Sequence, residues 1–128
     1  RRTVYMKVLL IDDSLVFRKA QAKAMKSLGI ETIYEAENGK IAIASLEKIN
    51  YEVDLILLDI NMPVMSGIET LQIIRQRAPD LPVIMCTSEA GKEKIMQAIK
   101  AGATTYLLKP IRKIDILEKI NKYVSQKT

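Results

Sequence analysis

Apolar and polar positions are patterned along this chain in two ways. Five short runs, Met6–Ile11, Thr32–Ala36, Asp54–Leu58, Val83–Cys86 and Thr105–Leu108, are rich in Val, Ile and Leu. Several are continuous rather than alternating, as expected of strands buried on both faces of a parallel sheet. Between them lie stretches whose apolar residues recur at helical spacing, the pattern of helices with one buried stripe. Ser14 is placed to cap the first, with Phe17, Ala20, Ala24 and Leu28 on its apolar side and Gly29 at its end. Lys40–Ile49 follows Asn38-Gly39 and carries Ile43, Leu46 and Ile49. Gly67–Gln76 carries Ile68, Leu71 and Ile74, and Pro79 and Pro82 punctuate its exit. Lys92–Ala101 carries Ile95, Ala98 and Ile99 and stops at Gly102, and Ile114–Ser125 carries Leu117, Ile120 and Val124. Strand then helix, five times over, predicts a three-layer α/β domain with a parallel sheet.

Two runs end in acids. KVLLIDDS closes the first with Asp12 and Asp13, and LILLD closes the third with Asp59. Neighbouring side chains on a strand face opposite ways, so a regular continuation would drive one of the first pair into the core, where unpaired charge is costly. A backbone that leaves the strand at this point lets both carboxylates turn outward. In open α/β sheets ligands bind beyond the carboxyl ends of strands, where strand order reverses. If the first and third strands are neighbours there, the three carboxylates share one crevice. All-oxygen donors call for a hard cation, and a shell shared with water favours Mg²⁺ over Ca²⁺. Thr87, after VIMC, and Lys109, after YLL and before Pro110, add a hydroxyl and an ammonium at two further strand ends. These are the parts that hold a phosphoryl group and offset its charge. Each alone has a plainer explanation, as a solvated terminus, a helix cap or a strand stop. Five together at strand ends do not.

Composition narrows the field. With 128 residues, 48% of them hydrophobic, the chain can build one domain with a real core. Net charge is +5 with Lys and Arg scattered, and aromatics are 5%, so there is no basic, aromatic-laced stripe for nucleic acid. Cys86 is the only cysteine, which leaves no disulfide framework and points to a reducing, cytoplasmic setting. No apolar stretch approaches the roughly 20 residues that span a membrane. The chain opens on Arg1 rather than Met, so residues 1–5 are expected to be a remnant or an extension of a single domain over 1–128.

The set Asp12-Asp13, Asp59 followed by Met62-Pro63-x-x-x-Gly67, Thr87, and Lys109-Pro110 resembles the receiver domain of bacterial response regulators, from about Lys7 to Val124. The resemblance implies a CheY-like, flavodoxin-like sheet of strand order 2-1-3-4-5 with five helices on its two faces. It implies that Asp59 takes a phosphoryl group from the phosphohistidine of a sensor histidine kinase, with Mg²⁺ as cofactor and Mn²⁺ as a substitute. Asp13 would ligate the metal directly, Asp12 mainly through water, and the backbone carbonyl of Asn61 would complete the protein ligands beside Asp59. Thr87 and Lys109 would contact phosphoryl oxygens, the Lys109-Pro110 peptide would be cis, and Tyr106 would be the aromatic switch. Asn61 and Glu89, two positions after Asp59 and Thr87, would tune dephosphorylation. The output would pass through the face made by Lys92–Ala101, Thr105–Leu108 and Ile114–Ser125 to a protein target or effector domain. The domain would not act as an enzyme beyond assisting its own phosphorylation and dephosphorylation. It would be either a free-standing regulator, as in chemotaxis, or a receiver cut from a longer protein.

Three other classes compete. A Mg²⁺-dependent phosphatase of the haloacid dehalogenase type also uses a strand-end aspartate, but Asp59-Ile60-Asn61 lacks the second acid of its D-x-D-x-T signature. A nucleotide switch would need a G-x-x-x-x-G-K-[ST] loop, which is absent. A receiver that has lost phosphorylation and only binds partners would not keep the whole acid set.

Overall fold

All five predicted strands and all five predicted helices form, in the predicted order. The computed structural model describes residues 3–88 and 92–126, the side chains of 124–126 excepted. The elements are β1 (Val4–Ile11), α1 (Leu15–Ser27), β2 (Ile30–Ala36), α2 (Gly39–Lys48), β3 (Leu55–Asp59), α3 (Gly67–Arg77), β4 (Val83–Ser88), α4 (Lys92–Lys100), β5 (Thr105–Lys109) and α5 (Lys113–Gln126). The strands pair in parallel in the order β2-β1-β3-β4-β5. Strand order therefore reverses between β1 and β3, which puts the switch point of the sheet at the ends that carry Asp12 and Asp59.

Side-chain parity divides the sheet into two core layers. Val8, Leu10, Leu55, Leu57, Ile84 and Cys86 face α1 and α5, where Met25, Ile116 and Ile120 meet them. Leu9, Ile11, Ile56, Leu58, Val83 and Met85 face the other way, onto Leu46, Leu71, Ile74 and Ala98 of α2, α3 and α4. Both faces being covered explains why β3 is buried at every residue. The edge strand β5 alternates, with Leu107 buried and Tyr106 and Leu108 exposed.

Several boundaries differ from the hydrophobic pattern. Ladder hydrogen bonds, not hydrophobicity, end a strand, so β3 and β5 run on to Asp59 and Lys109, and β4 takes in Thr87. Val4 and Tyr5, expected to belong to a remnant or an extension, open β1, and Val4 pairs with Ile30 and is buried. The apolar stripe expected on α1 is rotated. Its buried residues are Gln21, Ala22, Ala24 and Met25, while Phe17 and Ala20 are exposed. Arg18, on the buried side, donates to the Asp12 carbonyl (2.6 Å) and to Glu35 (2.9 Å), so a polar tether sets the roll of the helix. On α4 only Ala98 is buried, and Ile99 and Met96 stand 45% and 57% exposed. Among the described side chains of α5 the buried pair is Ile116 and Ile120, with Leu117 half-buried; the side chain of Val124 lies outside the described residues.

Caps fix where the helices begin. The side chains of Ser14, Asn38 and Ser66 accept the amides of Phe17, Ile41 and Glu69, and Glu69 returns the bond to the Ser66 amide. Gly29 ends α1 at φ 87°, a conformation open to glycine and strained for other residues. The loop from Asp59 to α3 is closed by the Gly67 amide on the Ile60 carbonyl at 2.8 Å. A Cβ on Gly67 would collide with the Asp59 carbonyl oxygen and lie 2.7 Å from Ile60 Cα. Both obstacles are backbone and cannot swing aside. Gly67→Ala is therefore expected to lower unfolding free energy by about 2–3 kcal/mol, the upper range for overpacking. Urea denaturation measures it, and a loss under about 0.5 kcal/mol, the scale of neutral surface changes, would show that the loop yields freely.

Candidate metal and phosphoacceptor site

Parity also builds the site. Asp59 continues the Leu55, Leu57 side of β3, and Lys109 continues the Leu107 side of β5, both toward the α1/α5 layer. Asp12 follows Val8 and Leu10 to that side. Its amide still donates to the Ala36 carbonyl at 3.1 Å, so the sheet hydrogen bonding runs one residue past β1. The expected exit of the backbone at Asp12-Asp13 is thus delayed by one residue. Asp12 is 1% exposed and only Asp13 turns to solvent. The reason is that Asp12 finds partners inside. Its Oδ1 accepts the Ser14 amide (2.8 Å) and its Oδ2 accepts Lys109 Nζ (3.0 Å).

Lys109 Nζ also lies 3.3 Å from Asp59 Oδ1. Carboxylate oxygens of Asp12, Asp13 and Asp59 lie within 4.8 Å of one another, the one such acid cluster among the described residues. An octahedral Mg²⁺ with oxygens at about 2.1 Å sets its ligands about 3.0 Å apart when adjacent and about 4.2 Å apart when opposite, so carboxylate oxygens within 4.8 Å of one another are near enough to share one ion after closing in. Ionised, the three carry −3 against +1 on Lys109, which leaves the −2 that a divalent cation cancels. The donor set fits a hard dication.

Asp59 is buried, and burial pushes its carboxyl up to about 6; Lys109 opposes this, while Asp12 and Asp13 add to it. Burial would lower the Lys109 ammonium, but its bond to Asp12 and the charge of Asp59 outweigh it and hold the pKa above the ordinary value. Burial pushes the Cys86 thiol up to about 12, which makes it an inert core group.

The remaining predicted residues divide by face. Thr87 is buried at the end of β4, and its hydroxyl donates to the Ser88 carbonyl at 3.3 Å rather than to any of the acids. Tyr106, opposite Met85 on β5, is 38% exposed with Lys119 Nζ 5.8 Å from its ring centroid. The Lys109-Pro110 peptide is cis. Asn61 sits in the loop after β3, and its Oδ1 accepts Lys94 Nζ of α4 at 2.7 Å. Glu89 lies outside the described residues. Sequence reasoning missed Lys94, whose charge looks like any solvated lysine, and Phe17. The Phe17 ring leaves the predicted apolar stripe and covers Lys109 Nζ at 4.6 Å. No helix among the described residues is long and apolar enough to cross a membrane.

The raised Asp59 value has a consequence for stability without metal. The folded state holds this proton more tightly than the unfolded chain, whose value is near 3.8, so unfolding releases it in that window. The contribution of Asp59 to stability is then favourable at low pH and is lost as pH rises from about 4 to about 6. In metal-free buffer, Asp59→Asn is expected to be more stable than the parent at pH 7.5, with the gap closing by pH 4. Paired thermal melts across that range measure it. A gap that widens on acidification would reverse the sign and show that Lys109 outweighs burial.

Residues 8–121 match the response regulator receiver domain family. The chemotaxis protein CheY-3 of Vibrio cholerae is 36% identical over 119 residues, which covers 91% of this chain and 90% of that one. A chemotaxis protein CheY homolog of Campylobacter jejuni is 37% identical over 117 residues, covering 90% and 89%. Among solved structures, chemotaxis protein CheY4 of Vibrio cholerae superposes with a TM-score of 0.83 at 31% identity, covering 92% of this chain and 98% of that one. The doubly wound sheet has its counterpart over nearly the whole length of the solved relative, and this chain belongs to the response regulator receiver domains, the phosphoacceptor modules of two-component signalling.

Proposed function

We propose that the chain acts as one receiver unit that takes a phosphoryl group onto Asp59 from a histidine kinase and signals by a change in its α4-β5-α5 face. The observation that carries this is the placement of Asp59: 5% exposed, 3.3 Å from Lys109 Nζ and clustered with Asp12 and Asp13. An oxygen of Asp59 attacks phosphorus, the phosphorus–nitrogen bond of the phosphohistidine breaks, and the imidazole nitrogen keeps the electron pair and takes a proton from solvent. Asp12, Asp13, Asp59 and the Asn61 carbonyl would hold Mg²⁺ (or Mn²⁺), which supplies positive charge against the phosphoryl oxygens. Lys109 transfers one ammonium bond from Asp59 to the new phosphoryl group. Thr87 has only a long bond to the Ser88 carbonyl to give up before its hydroxyl donates to a phosphoryl oxygen. That bond is charge-assisted and the stronger of the two.

Thr87 and Tyr106 both face away from the α1/α5 layer, toward α4, so inward movement of Thr87 opens space on the side where Tyr106 turns. Helix α4 is the element best suited to respond, since Ala98 alone anchors it in the core. Met96 and Ile99 of α4, Tyr106 and Leu108 of β5 and Ile114 of α5 already expose an apolar surface suited to a protein partner. The curated relatives carry the name chemotaxis protein, which favours output by protein contact over nucleic-acid binding. Asn61, with Glu89, would set how easily water reaches the phosphoryl group. With both side chains polar, loss of the group in seconds to minutes is the expected behaviour.

Mg²⁺ is expected to raise the melting temperature with the logarithm of its concentration once that exceeds the dissociation constant. A ligand at about 100 times its dissociation constant adds about 2.7 kcal/mol, and Asp13→Ala should remove most of the response. A flat melting curve across millimolar Mg²⁺ would remove the metal site. Incubation with acetyl phosphate and Mg²⁺ should add one phosphoryl group by intact mass, and Asp59→Asn should add none; a label that survives this substitution refutes Asp59 as acceptor. With beryllofluoride, a phosphoryl mimic, backbone amide shifts should reach residues 92–100 and Tyr106. Shifts confined to the acid pocket would leave the acceptor standing and refute the route to the partner face.

A further inference from the structure

We infer that Phe17 is a positioning residue for Lys109: its ring face holds the ammonium at the acid pair and keeps it aimed at the phosphoryl position, an inference that rests on the phosphoacceptor role proposed for Asp59. The starting point is an apolar side chain in the wrong place for packing. Phe17 is 40% exposed on the first turn of α1, turned away from the stripe that packs on the sheet. Lys109 Nζ lies 4.6 Å from its ring centroid, inside the range of a cation–π contact. An ammonium has three donors. Here one is donated to Asp12 Oδ2 at 3.0 Å, Asp59 Oδ1 forms an ion pair at 3.3 Å, and the Phe17 ring lies against the same nitrogen.

The ring is held there by a closed circuit of contacts. Asp12 Oδ1 accepts the Ser14 amide, and Ser14 Oγ in turn accepts the Phe17 amide as the cap of α1. Phe17 covers Lys109, and Lys109 returns to Asp12. The cap that starts the helix thus places the ring over the lysine that neutralises the same aspartate. When a phosphoryl group forms on Asp59, Lys109 has to leave one carboxylate oxygen without drifting into solvent. A flexible four-carbon side chain loses freedom in doing so, and a ring face that attracts the ammonium in both states reduces that loss.

Phe17 is the only phenylalanine in the sequence. Biosynthetic replacement of phenylalanine by its 4-fluoro, 3,5-difluoro and 3,4,5-trifluoro analogues therefore changes this ring alone, weakening its negative face with little change of shape. Two measurements follow. In metal-free protein, the ε-methylene protons of Lys109 should show an upfield ring-current shift that Phe17→Tyr keeps and Phe17→Leu, apolar and of similar bulk, loses. With Mg²⁺, phosphorylation by acetyl phosphate and beryllofluoride affinity should fall stepwise along the fluorinated series, by about two- to fivefold in total for a contact of this exposure. Phe17→Tyr should match the parent and Phe17→Leu should match the end of the series. A small phosphodonor has no docking surface, so an exposed residue that serves only to bind a kinase would leave both readings flat. Ordinary ε-methylene shifts in the parent, or a flat fluorinated series in a parent that takes up phosphoryl, overturn the role of Phe17 alone. A parent that takes up neither acetyl phosphate nor beryllofluoride overturns the phosphoacceptor reading and this role with it.

Discussion

Everything at the carboxyl end of this sheet depends on one ammonium. Three carboxylates brought within 4.8 Å would repel one another, and two of them are buried. Lys109 reaches from the edge strand β5 past β4 and β3 to Asp12, just beyond the end of β1, and answers Asp59 on the way. It does so because all three residues share one strand parity. A slip of one residue in β5 would turn Lys109 toward α4 and leave the buried acids unpaired. The register Ser88 opposite Lys109 and the burial of Leu107 resist that slip. Core packing therefore aims the charge.

The charge is matched only in part, and the shortfall has a use. Burial, with Asp12 and Asp13 nearby, raises the Asp59 carboxyl against the pull of Lys109, and one lysine against three acids leaves a site that gains from a dication. A nucleophilic carboxylate held in this way is dry, oriented and short of counter-charge.

Stability is unevenly distributed around this centre. The central strands and α1, α2, α3 and α5 carry the two core layers and the polar tethers, such as Arg18 on Asp12 and Arg75 on the Gly102, Ala78 and Leu81 carbonyls. Helix α4 has one buried residue and a lysine bond to Asn61 at the site. A rigid frame beside one lightly held helix is the arrangement in which a local change of charge can produce a larger movement at a distance.

The sequence by itself determined the element order, the parallel sheet and the chemistry of the strand ends, because continuous apolar runs, caps and terminal acids are local signals. It also carried the strand-end set Asp12, Asp13, Asp59, Thr87 and Lys109. What it left undecided were directions. Asp12 and Asp13 were both expected to turn outward, yet one is a buried partner of Lys109 and the other faces solvent, since only pairing of β1 with β2 shows how far the ladder runs. Phe17 read as core because helical spacing cannot see Arg18 reaching Asp12, the contact that sets the roll of α1. Lys94 carries no signal of its own in the sequence because its partner is 33 residues away. Side-chain periodicity predicts that an element has an inner face; which residues occupy it, and which charges meet across it, is decided by elements distant in sequence.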